Sequence, residues 1–211
     1  MLEFFLAHLV IVQGQLLLEG LQAIDHGVEF FDLGTVNKYF MNGLLVLWPQ
    51  VEETLTNPKY AVSLRSGDQI TMYTFGEPRV GDVTFAKNFD SMIKNSNKNK
   101  YSFSYRVVFH QDIVPHLPAC NKDKTGLSNS DGSRPCDSND LSKPYHHGTE
   151  IWYPDSMAPG AQYTECVGEP SGEDFACSDA LKFHYDQDKS YISDHRHYFS
   201  VRVSSLLLVH T

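Results

Sequence analysis

The sequence predicts an α/β fold in a single domain covering residues 1–211. Three observations support this: strand-like runs alternate with stretches of helical spacing, no internal repeat occurs, and no linker divides the chain. A chain of this length buries a sizeable core. The hydrophobic share of 41% and the charged share of 20% are ordinary for a globular protein, so wholesale disorder is not expected.

Two helical stretches are predicted in the first quarter of the chain. Apolar residues recur at helical spacing over residues 3–24, which indicates one helix or two short ones ending near Gly27. A second helix is predicted from Thr35 to Leu55. Pro49 inside it is expected to kink or break it, because proline lacks a backbone donor and clashes with the preceding turn.

Strands, turns and one short helix are predicted over the rest of the chain. Runs of β-branched and aromatic residues mark the strands, and Gly, Pro, Asn and Ser mark the turns. The predicted segments are turns at Asn57-Pro58 and Ser66-Gly67-Asp68, strands at Gln69–Phe75, Tyr105–Phe109 and Thr149–Tyr153, a helix at Asp82–Met92, and a polar loop at Cys120–Lys143.

The charge balance argues against some classes of partner. The formal net charge of -9 predicts no nucleic-acid binding, and it disfavours anionic membrane surfaces but not a neutral lipid interface. The lysines of residues 94–100 are interleaved with Asn and Ser and predict a solvated loop. The apolar run Leu2–Val12 is too short for a transmembrane helix and lacks the basic start of a secretory signal.

Four cysteines lie in loop-like segments of the C-terminal half: Cys120, Cys136, Cys166 and Cys177. They allow three pairings, of which we favour the sequence-local one, Cys120–Cys136 and Cys166–Cys177. An even number of loop cysteines favours an oxidising compartment.

Two strand-end or loop positions are candidates for chemistry. Asp112 follows the strand Tyr105–Phe109, where functional groups of α/β sheets gather, and His195 lies in the segment SDHRHYF. Taken alone, such an Asp is more often a turn former and such a His more often structural. Asp194 and His197 are rivals within two residues of His195.

Four motifs in order resemble the class 3, or fungal-type, lipases. They are TFGEPRVGD (74–82), RVVFHQDIVPHLP (106–118), YHHGTEIWYP (145–154) and SDHRHYF (193–199), with the detailed wording most similar to the nematode branch. The resemblance implies an α/β-hydrolase with a Ser, Asp, His triad in that chain order. It implies Asp112 as the triad acid and His195 as the general base.

The chain departs from that family at the nucleophile. No serine lies in G-x-S-x-G; Ser171 and Ser66 are the nearest matches and do not fit. The family's strand, elbow and helix belong where only Ala61 to Gly67 stand, and such a unit needs roughly 25 to 30 residues. The expected fold is therefore a three-layer hydrolase sheet without its central strand–elbow–helix unit. The family's oxyanion loop is also expected to lie before Met1, which makes the domain truncated at its N-terminus and internally.

The resemblance implies hydrolysis of carboxylic esters of neutral lipids such as triacylglycerols, at an interface, without metal or organic cofactor. Because the serine is missing, we expect this chain to be inactive. The alternatives are a non-catalytic lipid-binding or regulatory pseudoenzyme, and a hydrolase whose serine comes from another motif. Secretion is expected from the loop cysteines and the resemblance.

Other polar and aromatic groups have simpler expected roles. His146, His147 and Glu150 are a weak metal-site hypothesis, for which a polar strand entry is the simpler interpretation. Arg79 is expected to form a salt bridge or anchor a loop. The aromatic residues near the motifs are expected to pack a core: Trp152, Tyr153, Tyr198 and Phe199.

Overall fold

A computed structural model describes residues 27–58, 72–95, 104–126, 128–184, 187–199 and 201–202. The helix predicted over residues 3–24, the turn at Ser66-Gly67-Asp68 and most of the lysine-rich run lie outside these ranges. The described elements are β1 Val28–Glu29, β2 Thr35–Val36, α1 Lys38–Thr56, β3 Met72–Phe75, β4 Gly81–Asp82, α2 Val83–Asn95, β5 Ser104–Phe109, β6 Pro144–Tyr145, β7 Thr149–Tyr153, β8 Thr164–Cys166, α3 Asp188–His195, β9 His197–Tyr198 and β10 Val201–Arg202.

The main sheet has the strand order β3-β5-β7-β8. β5 pairs in parallel with both β3 and β7, and β8 runs antiparallel to β7. The helix α2 lies in the connection between β3 and β5, as expected for a parallel crossover. The predicted α/β fold is confirmed, and three parallel strands end at one edge of the sheet.

The two faces of this sheet differ in chemistry because side chains alternate along each strand. On one face Val107 pairs in register with Phe75 and Ile151, and this row packs against Tyr198 and Met157 in an apolar cluster. On the other face Arg106 pairs in register with Glu150, and both are buried. The central strand is thus buried on both faces, as in other parallel sheets.

The helix α1 starts later than predicted and is not broken. Thr35 belongs to β2 instead, because its hydroxyl donates to Asp82 at 2.6 Å. Asn37 caps the helix, its side chain accepting from the amide of Tyr39 at 2.8 Å. The helix runs through Pro49 and ends at Thr56, just before the predicted turn at Asn57-Pro58, so of the two outcomes expected at Pro49, a kink or a break, the break does not occur.

The helix predicted at Asp82–Met92 also differs from the observed one, Val83–Asn95, by a few residues at its ends. Asp82 lies in β4 and caps α2 from outside, since its Oδ1 accepts from the amide of Phe85 at 2.7 Å. β4 belongs to a small antiparallel sheet of order β1-β2-β4-β6 that positions this cap. No helix within the described ranges is both long and apolar enough to cross a membrane.

Candidate active site

Asp112 follows β5 at the edge where the parallel strands end, and it is fully buried. Its Oδ1 accepts from the amide of Val114 at 2.9 Å. Its Oδ2 accepts from the hydroxyl of Tyr198 at 2.6 Å and lies 2.9 Å from Nδ1 of His195. A buried carboxylate needs such partners, because leaving it without hydrogen bonds in a protein interior is costly.

His195 is the last residue of α3 and reaches Asp112 across 83 positions of sequence. Its ring is buried, with 4% of the residue exposed. Because a carboxylate oxygen only accepts, the short contact places the proton of a neutral ring on Nδ1 and the lone pair on Nε2. Such a ring can take a proton through Nε2 while the carboxylate holds its orientation.

The rival residues are directed elsewhere. Nδ1 of His197 contacts the carbonyl oxygen of Ser193 at 2.7 Å, and His197 is exposed. Oδ2 of Asp194 lies 2.8 Å from Nδ1 of His110. The geometry therefore brings together Asp112 and His195, the two residues that the motifs single out.

Tyr198 and Gly76 belong to this site, although sequence analysis assigned neither to it. Burial, followed by the charge of Asp112 and the hydrogen bond to it, raises the pKa of Tyr198 well above 10, so its hydroxyl remains a donor. Gly76 has φ +60, and a Cβ there would lie 2.8 Å from both Asp112 Oδ2 and His195 Nδ1. In the sequence, the glycine of the segment TFGEP was the feature from which Gly76 could have been assigned to the site.

The residue after Gly76 forms a second buried pair. Oε1 of Glu77 lies 2.9 Å from Nε2 of His147, and Thr74 donates to Oε2. Burial opposes ionisation of Glu77, but the charge of His147 and its hydrogen bond outweigh it and hold the pKa of Glu77 at about 2. This pair ties the end of β3 to the entry of β7.

Arg79 forms the predicted salt bridge in the interior. Its Nε and Nη2 reach the two carboxylate oxygens of Glu173 at 2.7 and 2.8 Å, and Nη2 also lies 3.3 Å from Asp179. Its Nη1 donates to the carbonyl oxygens of His116 and Pro118. Arg79 therefore anchors the loop after β5.

The two carboxylates beside Arg79 are not equivalent. Burial raises the pKa of Asp179 and the neighbouring Glu173 raises it further, to about 6, although Arg79 and Lys122 act in the opposite direction. Burial also opposes ionisation of Glu173, but the bidentate contact with Arg79 lowers its pKa overall.

The residues of the metal-site hypothesis have separate partners. Nε2 of His146 contacts the carbonyl oxygen of Pro115 at 2.7 Å, His147 contacts Glu77, and Glu150 lies 3.7 Å from Arg106. The three side chains therefore do not converge on one ion position.

Both expected disulfide bonds are present, Cys120–Cys136 and Cys166–Cys177. The described residues contain two groups with atoms close enough to hold a metal, and each includes one of these bonded pairs. The sulfur atoms of both groups are thus already engaged in covalent bonds.

The interval in which the family's nucleophilic serine would stand lies outside the described residues. Ser63 and Ser66 lie in residues 59–71, which the structure does not describe. Ser171 is exposed in a turn, and its amide donates to Glu169 at 3.1 Å. The expected absence of the strand, elbow and helix remains a prediction from the sequence.

Comparison with known proteins reveals the family. A family model described as lipase (class 3) matches residues 56–122, a range that contains Asp112. A lipase of Caenorhabditis elegans is 37% identical over 216 residues, covering 90% of this chain and 59% of that protein. The chain belongs to the class 3 lipase family. It spans about three fifths of the length of this nematode lipase.

Solved structures of fungal lipases share the fold of this class 3 lipase chain. The triacylglyceride lipase of Rhizomucor miehei matches with a TM-score of 0.53 and 20% identity, covering 84% of this chain and 64% of that one. The lipase of Rhizopus microsporus var. chinensis matches with a TM-score of 0.52 and 20% identity, covering 83% and 58%. At this identity the likeness concerns the fold.

Proposed function

We propose that Asp112 and His195 are the acid and the general base of a lipase-type ester hydrolase site. The observation that carries this is the 2.9 Å contact between Asp112 Oδ2 and His195 Nδ1, both buried where the parallel strands end. In such a site Nε2 of the His takes the proton of a serine hydroxyl and returns it to the leaving alcohol. The Asp keeps the ring in the required tautomer and stabilises its charged form.

The proposed substrate class is carboxylic esters of neutral lipids, as for lipases generally. Membership of the class 3 family supports this, and the negative net charge is compatible with an uncharged lipid surface. The half-exposed ring of Phe199 adds an apolar surface, since it lies against Phe75 and Tyr153 beside the proposed dyad. The two disulfide bonds favour an extracellular location.

We further propose that this chain does not hydrolyse these esters. No serine of the sequence lies in G-x-S-x-G, and the family's strand–elbow–helix unit has no room in the interval from Ala61 to Gly67. Without an activated nucleophile no acyl-enzyme forms, so the base has no proton to remove for attack. A lipid-binding protein without turnover is the second candidate, which the apolar surface at Phe199 favours.

The first prediction concerns turnover of a short-chain nitrophenyl ester by the purified full chain. We expect wild type, His195→Ala and the matched control His197→Ala to show the same background rate. A fluorophosphonate probe, which labels activated serines, is expected to leave all three unmodified. Mass spectrometry of the intact chains checks the labelling.

Turnover that His195→Ala abolishes and His197→Ala preserves would show that the chain has a working serine, and the labelled peptide would identify it. The second candidate is tested by flotation with a triolein emulsion. Co-flotation without turnover supports lipid binding, whereas a chain that stays in the aqueous fraction contradicts it.

A further inference from the structure

Asp194 has a role that the proposed dyad leaves unexplained. It immediately precedes His195 in α3, yet its carboxylate contacts His110 and Gln111 and not Asp112. Its Oδ2 accepts from Nδ1 of His110 at 2.8 Å and from the amide of Gln111 at 3.3 Å. The last two residues of α3 are thus bonded to the same short loop, one through His110 and one through Asp112.

His110 is a fixed point for this contact because its backbone is held on both sides by β7. Its amide donates to the carbonyl oxygen of Tyr153 at 2.8 Å, and its carbonyl oxygen accepts from Nε1 of Trp152 at 3.1 Å. Its φ is +45, in the left-handed region that residues other than Gly adopt uncommonly, although Asn, Asp and His do so more often than the rest. Surrounding contacts must stabilise such a backbone.

The two segments therefore cross-link reciprocally. Residues 110–112 supply one imidazole and one carboxylate, and Asp194 and His195 supply one of each in return. A contact at Asp194, one residue before His195, opposes rotation of the end of α3 about the Asp112–His195 contact and adds to the restraint from the Tyr198–Asp112 hydrogen bond. Catalytic groups need their geometry within a fraction of an ångström, so a modest restraint matters more than its energy suggests.

We propose that Asp194, through His110, is a positioning residue that sets the orientation of the His195 ring against Asp112. The catalytic meaning of this restraint rests on the proposed function, but the restraint itself does not. The side chain of His110 is 42% exposed, so the contact is expected to add little to global stability. Its effect is expected to appear in the local mobility of His195.

The test measures exchange of the His195 Nδ1 proton with water, by NMR of the full chain carrying ¹⁵N-labelled histidine. A proton held between His195 and Asp112 exchanges slowly, and its signal is assigned by its loss in His195→Gln and its perturbation in Asp112→Asn. We expect Asp194→Ala and His110→Ala each to speed exchange about tenfold. The double variant is expected to match Asp194→Ala, because that change already removes the contact with His110 together with the contact with the Gln111 amide.

Matched controls separate this restraint from a general loosening of the fold. His197→Ala changes the neighbouring exposed histidine, and Asp155→Asn changes an exposed carboxylate of a loop; both are expected to leave the exchange unchanged. His110→Asn is expected to restore slow exchange, because its amide can donate to Asp194 and asparagine tolerates a positive φ. It also provides a readout in a folded chain should His110→Ala unfold.

Two further results would each overturn the proposal, and they are distinguishable. Unchanged exchange in Asp194→Ala and His110→Ala, or equally fast exchange in His110→Asn and His110→Ala, removes the positioning role and leaves the dyad intact. A His195 proton that exchanges rapidly in wild type, or that ignores Asp112→Asn, removes the dyad and the positioning role together.

Discussion

At the scale of single residues, the proposed dyad of Asp112 and His195 depends on the absence of a side chain at Gly76 as well as on its own hydrogen bonds. Gly76 has φ +60, and its Cα lies so close to the dyad that an added methyl group would contact both Asp112 and His195. Gly132 has a similar φ of +85, but an added methyl group there meets nothing within 4 Å. Alanine variants at these two positions therefore distinguish the energetic cost of backbone strain, which both carry, from the cost of a steric clash, which only Gly76→Ala adds.

We expect Gly132→Ala to lower the free energy of unfolding by about 1 kcal/mol, the cost of a left-handed alanine. Gly76→Ala is expected to lower it by about 3 kcal/mol, because a clash with buried side chains adds to the same strain. Urea denaturation followed by circular dichroism measures both values. Equal losses would mean that the dyad moves aside without cost.

At the scale of elements, a buried ionic cluster joins segments far apart in the chain. Arg79 follows β3, while Glu173 and Asp179 lie beyond β8, and a single guanidinium contacts both carboxylates. The sequence predicted an ion pair for Arg79, but its partners lie roughly a hundred positions away. Only the fold selects them, because pairing in space does not follow from local spacing.

The raised pKa of Asp179 predicts a pH dependence of stability. In the folded chain this pKa is about 6, above the ordinary value of 3.8, so the folded state binds more protons between these values. The contribution of Asp179 to stability is therefore full below about pH 4 and is lost as the pH rises through about 6. The free energy of unfolding of Asp179→Asn, relative to that of wild type, is expected to rise by about 2 kcal/mol between about pH 4 and pH 6.

The difference between variant and wild type carries this test, because other buried groups titrate in the same range. Burial, followed by the charge of Arg79, lowers the pKa of His116 to about 3. The contribution of His116 to stability therefore increases as the pH rises, opposite to that of Asp179. Urea denaturation at pH 4, 5, 6 and 7 measures the difference. A constant difference would show that Asp179 titrates near its ordinary value.

Also at the scale of elements, α1 shows how a correct helix prediction can leave packing undecided. Apolar spacing predicted the helix, yet residues 44–48 are all apolar and all exposed, and within the described part of the chain α1 buries no residue. A helical stretch that is apolar on every side, like residues 44–48, is normally enclosed. The sequence pattern therefore predicts the helix but not what packs against it.

At the scale of the whole molecule, two disulfide bonds hold the long loops that carry the ionic cluster. Cys120–Cys136 closes a separation of 16 residues, with Cys136 next to Arg79, and Cys166–Cys177 closes a separation of 11. Closing loops of these lengths restricts the unfolded chain to a similar degree. The two bonds are therefore expected to stabilise the fold by similar amounts.

We expect replacement of either pair by serines to lower the free energy of unfolding by about 3 kcal/mol. Urea denaturation with and without a thiol reductant measures the loss. The variant that lacks both pairs is the control, because the reductant should not change its midpoint. A pair whose removal changes nothing would show that its loop is equally constrained without the bond.

The sequence by itself determined the α/β class, the bounds of the strand Thr149–Tyr153 and the family, and among three possible disulfide pairings it favoured the one that the structure has. These depend on local features: periodicity, turn residues and motifs that can be recognised one segment at a time. It also singled out Asp112 and His195, because each lies in its own motif.

The tertiary structure decided the contacts between those segments. It brought Asp112 and His195 together, added Tyr198 and Gly76 around them, and directed Asp194 to His110. It also moved Thr35 from a helix into a strand, because a hydrogen bond to Asp82 outweighs a weak helical preference. Contacts across tens of residues depend on how whole elements pack, and no spacing within one segment encodes that.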